Sequence, residues 1–251
     1  MVCQPGTTPE RPERAPIARN GPPRRAIGAL SSRVCPDILG GGSPAEAGIH
    51  SKMSRAAHAH PSATAADLLA IPETRRFHEI VGGELVEKAG PSGEHGTTQA
   101  AVAGSLFGPF SRPPGGGVPG GWWFGTEVEI ELETHEIYRP DVAGWRRERA
   151  PQRPTGIPVR LRPDWICEIL SPSTARNDQI TKLETYRRCG VPHYWIIDPQ
   201  QLTLLVYRLT PEGYLLALTA DTNSGRIRAE PFEAIEIEVA VLLGGDPSSE
   251  G

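Results

Sequence analysis

Two carboxylates, Asp141 and Glu168, stand 27 positions apart, and Lys182 lies in the stretch that follows the second. Glu168 sits between Ile166 and Leu170 on alternating positions of Asp164 to Leu170. In an extended strand it therefore points to the same side as those apolar residues. A carboxylate there needs a metal or a cation to stay charged. Asp141 opens a second apolar run after Tyr138-Arg139-Pro140. Acids so placed suit phosphodiester hydrolysis, which needs an activated water, a grip on the scissile phosphate and neutralisation of the leaving oxygen. A divalent ion supplies all three, and Mg²⁺ takes one or two carboxylates while keeping several waters. The same residues also have plainer uses. Asp141 suits a strand-edge acid capping a backbone group, Glu168 a buried ion pair with an arginine, and Lys182 an ordinary solvated position. Two acids converging without a metal repel, so at least one raised pKa is expected.

The elements that must position these groups follow from local pattern. Thr64 is a plausible N-cap for a short helix ending before Pro72. Phe77–Val81 and Glu84–Lys88 flank Gly82-Gly83, a hairpin signal. Glu94 to Phe110 reads as a helix with Thr98, Val102, Leu106 and Phe110 on one face, stopped by the Gly/Pro-rich loop that follows. Trp122 to Leu132 reads as one half-buried strand, with Val128, Ile130 and Leu132 inward and Glu127, Glu129 and Glu131 forming a solvated acidic face. The basic connection from Trp145 to Pro163 is mobile by composition. A helix is expected from about Asp178, as its N-cap, to Cys189, placing Tyr186 on the face of Lys182. His193–Asp198 reads as a strand buried on both faces, with Asp198 as a turn former before Pro199. Leu202–Leu209 and Tyr214–Ala220 read as an antiparallel pair, and Ile235–Val241 as a last short element. Helices mixed with strands, some paired as hairpins, indicate an α/β or α+β domain with a mixed sheet.

Arg139-Pro-Asp141-Val, Cys167-Glu168-Ile-Leu170-Ser-Pro-Ser-Thr174, Lys182-Leu-x-x-Tyr186 and Gly190-Val-Pro-x-Tyr-Trp-Ile-Ile-Asp198-Pro together resemble the Uma-two family of restriction-endonuclease-like proteins. That family is a branch of the PD-(D/E)xK nuclease superfamily. The resemblance reaches back to Gly83-Glu84-Leu-Val and Glu94-His95-Gly and covers roughly residues 62–243. It implies a restriction-endonuclease-like core, a central mixed sheet flanked by helices, and a Mg²⁺- or Mn²⁺-dependent endonuclease acting on DNA. It also implies Asp141, Glu168 and the backbone carbonyl of Ile169 as metal ligands, with Glu84 as a further carboxylate from the hairpin and His95 as a weaker candidate near phosphate. The superfamily places a lysine two residues after the glutamate, where this chain has Leu170. Lys182 is the candidate to supply it, at a place where the Uma-two pattern carries a lysine. Its ammonium is expected to approach Asp141 or Glu168, and Lys182→Ala to remove cleavage while sparing folding. Tyr186 is read as packing over the site. The competing reading is a catalytically inactive nucleic-acid-binding or interaction module on the same fold. A non-nuclease phosphoester hydrolase using the same acids is a further alternative.

Composition bounds these readings. With 251 residues, 38% hydrophobic content and no apolar run near 18 residues, the chain has room for one sizeable core and no membrane-spanning segment is expected. Residues 1–61, with 9 Pro and 7 Gly and no helical or strand period, are expected to be a disordered extension without a signal peptide, with Met53 as an alternative start. Residues 244–251 are expected to be a disordered tail. The four cysteines lack zinc-site spacing and indicate a reducing, cytoplasmic setting. The net charge of −4 argues against a nucleic-acid partner, yet residues 139–188 hold 11 basic and 6 acidic side chains. Positive charge is thus concentrated around the proposed site, as an anionic substrate requires. A homodimer is compatible with this pattern.

Overall fold

A computed structural model describes residues 62–171 and 177–246. The expectations for residues 1–61, most of the Ser-Pro-Ser-Thr turn, the side chain of Asp178 and residues 247–251 lie outside the described residues.

The chain opens with α1 (Ala65–Ala70), where the Thr64 N–H and hydroxyl both donate to Asp67 Oδ2 at 2.8 Å. β1 (His78–Val81) and β2 (Glu84–Glu87) form the expected hairpin. Gly82 and Gly83 have φ of 58° and 83°, the positive values a two-residue type I′ turn demands at both central positions. Ser92 caps α2 (Gly93–Phe110) by accepting the His95 N–H at 3.2 Å, and the helix buries Thr98, Val102, Leu106 and Phe110, four residues apart.

After α2 come β3 (Trp122–Thr126), β4 (Ile130–Glu133), β5 (Glu136–Tyr138), β6 (Val142–Arg146) and β7 (Trp165–Ile169). A π-helical turn at Asn177–Lys182 leads into α3 (Leu183–Arg188), followed by β8 (His193–Asp198), β9 (Thr203–Thr210) and β10 (Gly213–Asp221). The short β11 (Arg226–Ile227) pairs with β12 (Ile237–Glu238), which runs into α4 (Val239–Leu242). Among the described residues, six strands form a mixed sheet in the order β10-β9-β8-β7-β6-β3, in which β7 and β8 are parallel and the other neighbours antiparallel. The parallel pair is joined by a crossover through α3, as parallel strands require. A second sheet runs β2-β1-β5-β4. The fold is therefore mixed α+β, as the pattern of elements indicates.

Strand β8 is buried on both faces. Its Trp195 and Ile197 join α2, β6 and β7 in one core, while Tyr194 and Ile196 pack with Tyr186 of α3 in another. Phe232 closes the first core against Phe110, Trp122, Phe124, Trp165 and Trp195, with ring centroids 5.0 to 5.9 Å apart. Burying a large apolar side chain of this kind stabilises by roughly 1.5–3 kcal/mol, so the strand carrying Glu168 is held in a fully buried core. No helix among the described residues is long and apolar enough to cross a membrane.

Two expectations are corrected. Trp122 to Leu132 is not one strand: it breaks at Glu127, whose φ is 54°, so that β3 pairs with β6 in the large sheet and β4 with β5 in the small one. Alternation of apolar residues continues through the break because both halves are half-buried strands. The connection before β7 is anchored: the Trp145 indole donates to the Leu161 carbonyl at 2.8 Å, Arg149 pairs with Asp164 at 2.8 Å, and Val159 is buried beside Ile130.

Candidate active site

The site forms where β6 and β7 run side by side. Their register pairs Val142 with Cys167, which continues to place Asp141 across from Glu168. Both acids are 1% exposed. Asp141 Oδ2 accepts the Ile169 N–H at 2.6 Å. In an extended strand the N–H and C=O of one residue point to the same edge, so the Ile169 carbonyl faces the Asp141 side too. Glu168 Oε1 accepts the Tyr186 hydroxyl at 2.6 Å and the Lys182 ammonium at 3.1 Å. The same ammonium lies 3.0 Å from Glu79 of β1, whose Oε1 also takes the Arg139 N–H at 2.8 Å. From the other side the Lys88 ammonium reaches Asp141 Oδ1 at 2.8 Å, and His95 Nε2 lies 3.2 Å from that oxygen. Glu79, Lys88, His95, Asp141, Glu168 and Lys182 all line one cleft of about 150 Å³.

Lys182 therefore does approach Glu168, and Asp141, Glu168, Ile169 and Lys182 come together. Lys182 is only 2% exposed and lies between two carboxylates. Its replacement would strand buried charge, so Lys182→Ala is expected to cost stability as well as any cleavage. Glu84 does not join the site. It pairs with Val81 at the turn of the hairpin and is exposed, about 13 Å of strand from Lys88 at the opposite end. Glu79, one strand earlier, is the hairpin carboxylate in the cleft. The alternation of polar and apolar residues hides it, because Glu79 and its neighbour Ile80 are both buried. Leu170, in the place of the superfamily lysine, packs into the apolar cluster of Tyr138, Ile166, Tyr186 and Ile196. Tyr186 packs as expected but also hydrogen-bonds Glu168. The solvated acidic face is corrected as well: Glu127 turns into the site, within 3.2 Å of Lys88, while Glu129 and Glu131 pair with Arg76 at 3.0 Å and Arg160 at 2.8 Å.

A family model described as "Putative restriction endonuclease", Uma2, matches residues 65–241. The chain belongs to the Uma2 family. Among solved structures, the Uma2 chain is similar to a crystal structure titled as a putative nuclease belonging to DUF820 from Anabaena variabilis ATCC 29413. The two share 21% identity with a TM-score of 0.55, over 72% of this chain and 97% of that one. At that identity the likeness shows a shared fold. A search of curated proteins finds no match.

The electrostatics of the Uma2 site are set by burial working against hydrogen bonds and nearby charge. Burial alone would raise the Asp141 carboxyl, but the hydrogen bond from His95 and the charge of Lys88 outweigh it and hold the group well below the usual carboxylate range. A raised pKa is also found at Glu127, where burial pushes the carboxyl up against the opposing pull of Lys88. Burial, then the Glu168 charge, push the Tyr186 phenol well above its ordinary value, so it stays a donor. The donor chemistry fits a hard divalent cation: carboxylates from Asp141 and Glu168 and a carbonyl from Ile169. His95, Glu127 and Asp141 also offer ligand atoms within 4.8 Å of one another.

Proposed function

We propose that this Uma2 chain is a divalent-metal-dependent endonuclease that hydrolyses phosphodiester bonds of DNA, with Mg²⁺ or Mn²⁺ held by Asp141, Glu168 and the Ile169 carbonyl. The observation that carries the reading is the convergence of Asp141 and Glu168, side by side across β6 and β7, on one cleft that Ile169 also lines. A cation bound there would supply Lewis-acid stabilisation of the scissile phosphate and a more acidic water. The chain's own residues do the positioning. Tyr186 and Lys182 donate to the same oxygen of Glu168 and fix that carboxylate, and the Ile169 N–H fixes Asp141. Lys88 and Lys182 place positive charge on two sides of the cleft, where a phosphodiester would lie. The excess of basic residues across 139–188 supports an anionic polymer as substrate.

A second reading, an inactive nucleic-acid-binding module, is favoured by one pair of observations: Leu170 is sealed in an apolar cluster, and Lys182 is buried between Glu79 and Glu168. Incubating supercoiled plasmid and single-stranded DNA with the protein and Mg²⁺ or Mn²⁺ separates the two. The nuclease reading expects nicking that EDTA and Glu168→Ala abolish. Binding of DNA without nicking would establish the inactive module.

A further inference from the structure

Lys88 lies one residue beyond β2, where its N–H continues the hairpin by donating to the Phe77 carbonyl at 2.7 Å. Its side chain turns inward, and its ammonium sits among oxygens: the Arg139 carbonyl at 2.7 Å, Asp141 Oδ1 at 2.8 Å and both oxygens of Glu127 at 3.2 Å. An ammonium has three donors, and three groups receive them. Two of those groups, Asp141 and Glu127, are the ones that with His95 could form a cation site of their own. An ion bound there would need the Asp141 and Glu127 oxygens that the ammonium already holds. The ion and the ammonium compete for the same ligands.

We propose that the Lys88 ammonium acts as a tethered cation in place of an ion at the His95–Glu127–Asp141 group, so that the site takes one divalent ion, on the Asp141–Glu168–Ile169 side, and not two. The inference rests on the metal-dependent reading above and specifies how this chain meets it. Two-metal phosphodiesterases hold ions about 3.5–4 Å apart, clamping the attacking and leaving oxygens. A second ion needs a carboxylate on the outer side of Asp141. Glu127 is that carboxylate, aimed inward by its left-handed backbone, φ 54°, and Lys88 engages both its oxygens.

Counting bound Mn²⁺ on the full chain tests this, by following the free-ion electron paramagnetic resonance signal and, separately, by calorimetry. The wild type is expected to bind one Mn²⁺ in the millimolar range. Lys88→Met and Lys88→Gln are each expected to bind two, and Lys88→Met/Glu127→Gln to return to one, with thermal melts showing that each variant is folded. Two ions in the wild type, or one in both folded Lys88 variants, would overturn the proposal while leaving the metal-dependent reading intact. No bound ion in any of the proteins would overturn that reading and the proposal together.

Discussion

The Lys182 ammonium and the Glu168 carboxylate meet at 3.1 Å inside the protein, with 2% and 1% of their side chains exposed. A buried pair of this kind is costly to break from one side, because the abandoned partner keeps its charge away from water. Lys182→Met is therefore expected to destabilise the fold by about 3–5 kcal/mol, read from denaturant unfolding. Adding Glu79→Gln, which removes one of the two stranded carboxylates, should recover part of that loss. A Lys182→Met protein as stable as the parent would mean that the ammonium does not occupy this place in solution.

Glu79 and Glu84 differ by one strand of the same hairpin and should differ sharply under mutation. Glu79→Gln weakens a buried ion pair with Lys182 and a hydrogen bond from Arg139, and a loss of about 2 kcal/mol or more is expected. Glu84→Gln alters an exposed position and should stay within about 0.5 kcal/mol. Melting temperatures of the two variants side by side decide the matter, and equal losses would contradict the assignment of Glu79.

Stability should also depend on pH through His193, at the start of β8 and away from the cleft. Burial, aided by Arg146, pushes its imidazole down to about 4, against smaller opposing effects of Glu233 and Asp164, with Glu230 3.9 Å away. A folded-state pKa below the unfolded value of about 6.5 means that the unfolded chain binds the proton first. The contribution to stability is thus complete above pH ~6.5 and is lost as pH falls from there through about 4. After discounting for partial exposure, about 2 kcal/mol should disappear across that window. His193→Gln should flatten the pH dependence of unfolding free energy between those limits, and an unchanged slope would show that the imidazole is not so buried in solution.

What the sequence disclosed follows from the range of the interactions involved. The four-residue spacing from Thr98 to Phe110 is local and marks α2 directly, and Gly82-Gly83 marks its hairpin because few other residues accept that backbone. Glu168 announced itself as a carboxylate out of place in an apolar strand. Glu127 did not, because its role depends on a left-handed backbone at a residue that is neither Gly nor Asn, and the apolar alternation continues past the break. Lys88 was silent for a different reason: its partner Asp141 is 53 residues away, and the contact exists only once the hairpin docks beside β6. Glu79 gave no signal either, because both it and its strand neighbour Ile80 are buried, against the alternation of a half-buried strand.

Asp141 and Glu168 are proposed as ligands of a divalent cation, and a thermal titration with Mg²⁺ or Mn²⁺ tests this most directly. Ligand binding to the folded state alone stabilises by about 2.7 kcal/mol at 100 times the dissociation constant, which should appear as a clear, concentration-dependent rise in melting temperature. In Asp141→Asn/Glu168→Gln, measured against its own metal-free baseline, that rise should vanish. A double variant that responds to the metal as the parent does would contradict the assignment.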